Sequence, residues 1–194
     1  AIADVAAREG LWHHVDGAYG GCFHLVPELR HLLAGLPRAD SLTLDPHKGL
    51  FLPYGTGALL VRNGEDLRAL HASHAGYLPD NQLEFYDPAQ YGPDLSRGFP
   101  GLRVWMCLKI FGAARYRAAI AEKRELAVWA AQQIAAIPGI VMDALPQLSL
   151  FAFHLEGKGL ETLDAQNQAT RELMERVTRR GKVMLTGAQV GERF

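Results

Sequence analysis

Apolar residues in this chain fall into short runs over the first third and into helical spacing over much of the second half. Ala1 to Glu9 reads as the closing turns of a helix, with Gly10 placed to stop it. Leu11 to Val15 reads as a short strand ending at Asp16 and a turn rich in Gly and Ala. Leu32-Leu33-Ala34-Gly35-Leu36-Pro37 reads as a helix end and a breaker, and Ser41 to Leu44 as the next strand. Pro46 cannot continue in a ladder, so Asp45 to Lys48 are expected to form the exit loop of that strand. Gly57 to Arg62 reads as a third strand, entered through the turn Pro53-Tyr54-Gly55. Strand, helix and strand in alternation predict an α/β sheet, and strand ends are where such sheets carry ligands.

From about His71 to Gly98 the pattern stops. Gly76-Tyr77-Leu78-Pro79-Asp80-Asn81 and the stretch from Tyr86 to Pro93 are rich in breakers, which reads as a long functional loop. A helical region follows, with Tyr116, Ile120, Ala127, Ala130, Ile134 and Ile137 at three- and four-residue steps and Pro138-Gly139 as its end. Leu148 to Leu155 alternates as a strand, Thr162 to Arg180 reads as an amphipathic helix, and Lys182 to Leu185 as a short strand. This half reads as a small α+β unit, with a change of domain between Gly101 and Gly112 that divides the chain into 1–103 and 104–194.

Composition narrows the classes. A chain of 194 residues that is 48% hydrophobic and 21% charged is ordinary for a cored protein. A formal net charge of -1 gives no reason to expect nucleic acid or an anionic membrane as partner. Cys22 and Cys107 form no CxxC pair, so a disulfide scaffold is not expected and a cytoplasmic location fits. No apolar run reaches the roughly 20 residues of a membrane span, and no signal-peptide pattern opens the chain. The first residue is Ala within a helix-like stretch, and Val190 to Phe194 reads as the approach to a strand, so a piece of a longer protein is expected.

The chemistry concentrates in Leu44-Asp45-Pro46-His47-Lys48-Gly49 and, upstream, Val15-Asp16-Gly17-Ala18-Tyr19-Gly20-Gly21. An amine at one strand end and an acid at the preceding one is the pairing that pyridoxal phosphate chemistry needs. The lysine holds the cofactor aldehyde as a Schiff base, and a buried carboxylate keeps the ring nitrogen protonated. A free lysine, with a pKa of about 10.4, is a poor nucleophile at neutral pH, so partial burial and a neighbouring cation are expected to lower that of Lys48. His47 offers a flat hydrogen-bonding side chain, and Gly49 is expected to leave room for a bulky cofactor. The Ala18 methyl would press against a flat ring, and Gly17, Gly20 and Gly21 let backbones come close.

The segments HVDGAYGG, ADSLTLDPHKGLFLPYGTGALLVR and LSRGFPGLRVW resemble the group II pyridoxal-phosphate decarboxylases, the family of aromatic-L-amino-acid decarboxylase, over about Leu11 to Leu155. The resemblance implies a fold type I architecture, with part of the large domain followed by a small α+β C-terminal domain. It implies that Lys48 is the Schiff-base lysine and that His47 helps hold the phosphate. Asp16 would partner the ring nitrogen, and Ala18 would lie against the ring. Asp45 stands near the phosphate, where many relatives have Asn and others Asp. Tyr77 matches a loop tyrosine that protonates the substrate α-carbon after decarboxylation; a phenylalanine at that place goes with oxidative aldehyde formation. Arg97 matches the first of two consecutive arginines, and Gly98 departs from the second. Relatives carry a phosphate-cradling loop and a ring-stacking histidine upstream of the region seen here, so this stretch by itself is expected to be inactive. A homodimer acting on a small amino acid is implied.

Other readings stay open at this point. Transamination, desulfuration or oxidative deamination would use the same cofactor and fold. His13 or His14 with Asp16, Asp45 and His47 would supply mixed nitrogen and oxygen donors for a metal, although their spacing matches no common ligand motif. A non-catalytic scaffold piece is the third class. His71 and His74 read as incidental to the loop, and His13 and His14 as lying on opposite strand faces. Trp105, Phe111 and Trp129 read as core, and both cysteines as small buried hydrophobes.

Overall fold

The computed structural model describes residues 1–72 and 86–194. Two compact units make it up, Ala1–Ile120 and Ala121–Phe194.

The first unit opens with α1 (Ile2–Glu9), which buries Ala3 and Ala6 and ends at Gly10 in the left-handed conformation, φ 63°. A three-stranded sheet follows in the order β1 (His14–Asp16), β2 (Ser41–Leu44), β3 (Ala58–Val61). β1 and β2 run parallel, with Asp16 opposite Thr43, and β2 and β3 run antiparallel. Parallel pairing requires a long crossover. Here it is built of three 3-10 helices, Gly20–Leu25, Pro27–Leu33 and Leu36–Arg38. Pro27 opens the second and Pro37 stands second in the third, where a missing N–H costs nothing. Cys22, Phe23, Val26, Ala39 and Leu52 form the buried apolar set around the sheet.

Sequence and structure agree on β2 residue for residue and differ at β1, expected over 11–15. The His13 carbonyl accepts from the Asp40 and Ser41 amides, and its own N–H donates to the Asp40 carboxylate, so pairing begins one residue later. The expected exit loop after β2 is instead a single helical turn, α2 (Pro46–Gly49). Pro46 occupies the first helical position, so the residue read as a breaker also starts a helix. α3 (Gly64–His71) was not anticipated; Asn63 caps it by accepting the Glu65 amide, and Glu65 and Asp66 sit in its first turn.

α4 (Gly101–Phe111) and α5 (Ala113–Ala135) are separated at Gly112, φ 77°. In α5 Tyr116, Ile120 and Ala127 are buried as the spacing predicts; Ala131 is buried where Ala130 was expected, and Ile137 lies past the helix end and is exposed. The core reading of Trp105, Phe111 and Trp129 is overturned, since all three are about half exposed or more. Helical spacing marks a face as apolar without saying what covers it. The Lys109 ammonium lies 5.8 Å from the centre of the Trp105 ring.

In the second unit β4 (Ile140–Ala144) and β5 (Ala152–Leu155) form an antiparallel pair with an irregular register between Met142 and Ala144. α6 (Leu163–Arg179) packs against β5, capped by the Thr162 hydroxyl accepting from the Ala165 amide. Thr170 joins the two elements by accepting the Leu155 amide. Lys182 to Leu185, read as a strand, forms none, because the Leu185 amide goes to the Thr178 hydroxyl. Among the described residues no helix is long and apolar enough to cross a membrane.

Candidate active site

The site grows from the shared carboxyl end of β1 and β2. Past the last strand pair the hydrogen bonds continue: the Gly17 amide donates to the Thr43 carbonyl (3.0 Å) and the Asp45 amide to the Ala18 carbonyl (3.1 Å). Glycine makes this approach possible. A Cβ on Gly17 would lie 2.8 Å from Leu42 Cδ1 and 3.0 Å from the Thr43 carbonyl, and one on Gly21 would overlap Leu44. The Asp16 turn and the Asp45 turn are thereby fastened side by side.

Asp16 is exposed at the end of β1, and one carboxylate oxygen accepts the Ala18 amide at 3.0 Å. Ala18 is half-buried. Lys48 sits on α2, and its Nζ lies 2.7 Å from Asp45 Oδ2; the lysine side chain is 45% exposed and that of Asp45 16%. The hydrogen bond that Lys48 donates to Asp45 holds its ammonium above the ordinary pKa; partial burial opposes it, and the charges of Asp45, Asp16 and Tyr54 reinforce it. The expected lowering is therefore corrected. The nearest charge is an anion rather than a cation, and an anion favours the protonated amine.

His47 is pinned by its other face. Its Nδ1–H donates to the Thr56 carbonyl at 2.7 Å, its backbone amide reaches the same oxygen, and its ring meets the edge of Tyr54 at 4.8 Å. Nε2 lies 3.9 Å from Asp45 Oδ2. Thr56, 1% exposed, and Tyr54 were not singled out in the sequence; neither type in a turn carries a signal that it will orient a histidine. Gly49 does not leave open room as expected: a Cβ there would lie 2.6 Å from both Cβ and Sγ of Cys22, which fills the space. Burial, with the Asp45 charge, raises the Cys22 thiol pKa. Phe51, just after the turn, has φ 56° in the left-handed region that side chains avoid, a local strain beside the site.

Tyr77 and His74 lie outside the described residues. Arg97 donates to the Pro88 and Asp94 carbonyls, bracing its own loop. Among the described residues no three His, Cys, Asp or Glu side chains converge as metal donors.

Residues 1–156 match the family described as Pyridoxal-dependent decarboxylase conserved domain. The chain belongs to this family. Among relatives of the pyridoxal-dependent decarboxylases, the aromatic-L-amino-acid decarboxylase of Bacillus atrophaeus is 34% identical over 99% of this chain and 41% of its own length. The crystal structure of Oryza sativa TDC with PLP and tryptamine superposes with a TM-score of 0.91 at 30% identity, over 99% of this chain and 40% of that one. That of Rhodiola rosea 4-hydroxyphenylacetaldehyde synthase gives 0.86 at 29% identity, over 99% of this chain and 39% of that one. The chain spans about 40% of the length of these relatives. The fold is α/β, of the fold type I class of pyridoxal-phosphate enzymes, as the sequence implied.

Proposed function

We propose that this chain serves the decarboxylation of an L-amino acid to its amine and carbon dioxide, with pyridoxal 5'-phosphate as cofactor. One observation carries the reading: Lys48 stands on the turn leaving β2, and Asp16 ends the parallel neighbour β1, with the two exits fastened by the Gly17–Thr43 and Ala18–Asp45 hydrogen bonds. The residue types fit the group. A half-exposed amine can meet an aldehyde, and a carboxylate on the adjoining strand end can face a pyridine nitrogen.

When bound, pyridoxal phosphate supplies a protonated ring that takes up the electron pair left by departing carbon dioxide. The chain does the rest. Lys48 Nζ would hold the cofactor, Asp16 would keep the proton on the ring nitrogen through its negative charge, and Ala18 would flank the ring. His47, oriented by Thr56, would present Nε2 toward the bound molecule. Tyr77 is assigned the proton delivered to the substrate α-carbon on the resemblance of Gly76-Tyr77-Leu78. A homodimer in the cytoplasm, with a large-domain part at 1–103 and a small domain at 104–194, completes the proposal.

The test is Lys48→Ala in the intact protein. It should abolish the near-visible absorbance of bound cofactor and reduce carbon dioxide release to background. Normal amine production by that variant would end the assignment. A panel of amino acids scored by carbon dioxide then gives the substrate. The likeness to an aldehyde synthase favours a second reading, oxidative aldehyde formation, which product analysis separates: amine in one case, aldehyde in the other.

A further inference from the structure

We propose that Asp45 is the positioning residue for Lys48: it holds the side-chain ammonium while the site is free of cofactor, and so sets the pH above which the amine becomes available to a carbonyl group. The inference rests on the assignment of Lys48 above and deepens it.

The carboxylate is built in place. The Asp45 amide is bound to the Ala18 carbonyl, and its carbonyl accepts both the Lys48 amide (2.8 Å) and the Gly49 amide (3.1 Å), which fixes the residue as the start of α2. From there, three residues ahead of Lys48 on one helical turn, Oδ2 reaches Nζ at 2.7 Å. On its other side Oδ1 fits against Gly57, where a Cβ would come within 3.4 Å. An anion at this place carries the wrong sign to hold a phosphate. It carries the right sign to hold an ammonium.

The groups facing Lys48 make the balance clear. Asp45 and His47 stand on its own turn, Asp16 comes from β1, Tyr54 from the turn that follows, and Cys22, close to Asp45, from the crossover. Among the described residues two carboxylates therefore face the amine, while the imidazole has its Nε2 3.9 Å from Asp45 and its Nδ1 committed to Thr56. The sum favours the charged amine, consistent with the upward shift of Lys48. An ammonium has no lone pair, so its proton must pass to water before Nζ can attack any carbonyl.

The test labels the cofactor-stripped protein with short pulses of acetic anhydride from neutral to alkaline pH and follows acetylation of Lys48 by mass spectrometry. Asp45→Asn should move the midpoint of labelling to lower pH and raise the rate at neutral pH several-fold. Asp45→Ser should do the same, which guards against loss of one variant to misfolding. His47→Gln should not lower the midpoint, since it leaves Asp45 in place against the ammonium. An unchanged midpoint in both Asp45 variants overturns the proposal. Reloading wild type with pyridoxal phosphate separates the two claims. If the intact wild-type protein takes up no cofactor, the assignment of Lys48 fails; if it does, and the Asp45 variants label like wild type, only the role of Asp45 fails.

Discussion

Replacing Gly49 by Ala asks whether the Lys48 turn is clamped against the crossover. The added Cβ would lie 2.6 Å from both Cβ and Sγ of buried Cys22, roughly 1 Å inside ordinary carbon contact. Sγ can rotate away, but the Cys22 Cβ is carried by the backbone, so α2 or the Gly20–Leu25 helix must move. Overpacking of this kind costs about 1–3 kcal/mol, and a fixed atom puts the cost in the upper half. Alanine in a helical turn recovers about 1 kcal/mol relative to glycine. The expected net loss is about 1–2 kcal/mol, a factor of roughly 5–30 in the folding equilibrium. Urea unfolding followed by tryptophan fluorescence should show a lower midpoint with an unchanged slope. The deciding arm is Cys22→Gly, which removes both clashing atoms. In a double-mutant cycle the Gly49→Ala/Cys22→Gly pair should show favourable coupling above about 1 kcal/mol. A Gly49→Ala variant as stable as wild type, or costs that merely add, would refute the close approach.

In the second unit buried His154 places Nδ1 at 2.9 and 3.0 Å from the two Asp143 carboxylate oxygens. Asp143→Ala should cost that unit about 1–3 kcal/mol through the unpaired imidazole, and Asp143→Asn less; hydrogen exchange of the β5 amides reads the difference. In the first unit the Arg38 guanidinium, 2.6 Å from the Asp4 carboxylate, holds that carboxyl below its ordinary 3.8. Because the folded value is the lower one, the contribution is complete above the unfolded value and is lost as pH falls through the folded one. Carbon-13 NMR should find Asp4 titrating below the ordinary carboxylate range, and Arg38→Met should return it upward; an unmoved titration would exclude the ion pair.

What the sequence made legible follows from how local each signal is. Gly10, β2 and α6 were readable because a stop residue, an alternating run and a capped amphipathic stretch are decided by neighbours in the chain. Lys48 and Asp16 stand out through their motifs, and the parallel pairing of β1 and β2 sets the two strand exits side by side. The Asp45–Lys48 ion pair was not, because it exists only once Pro46 begins a helical turn. β4 escaped notice because the irregularity around Asp143 interrupts its alternation. Trp105 and Trp129 show the converse: their spacing fits a helix, but exposure is settled by distant packing that no local pattern records.

The fastening of the two strand exits bears on how sequences of this kind can change length. One residue added between Thr43 and Lys48 would swing the amine by about 100° around the α2 axis or turn the β2 side chains to the opposite face. The Pro27–Leu33 stretch, in which no residue is buried, carries no such constraint. Insertions and deletions among homologous chains should therefore gather in that crossover helix and be missing from Asp16 to Ala18 and from Thr43 to Gly49.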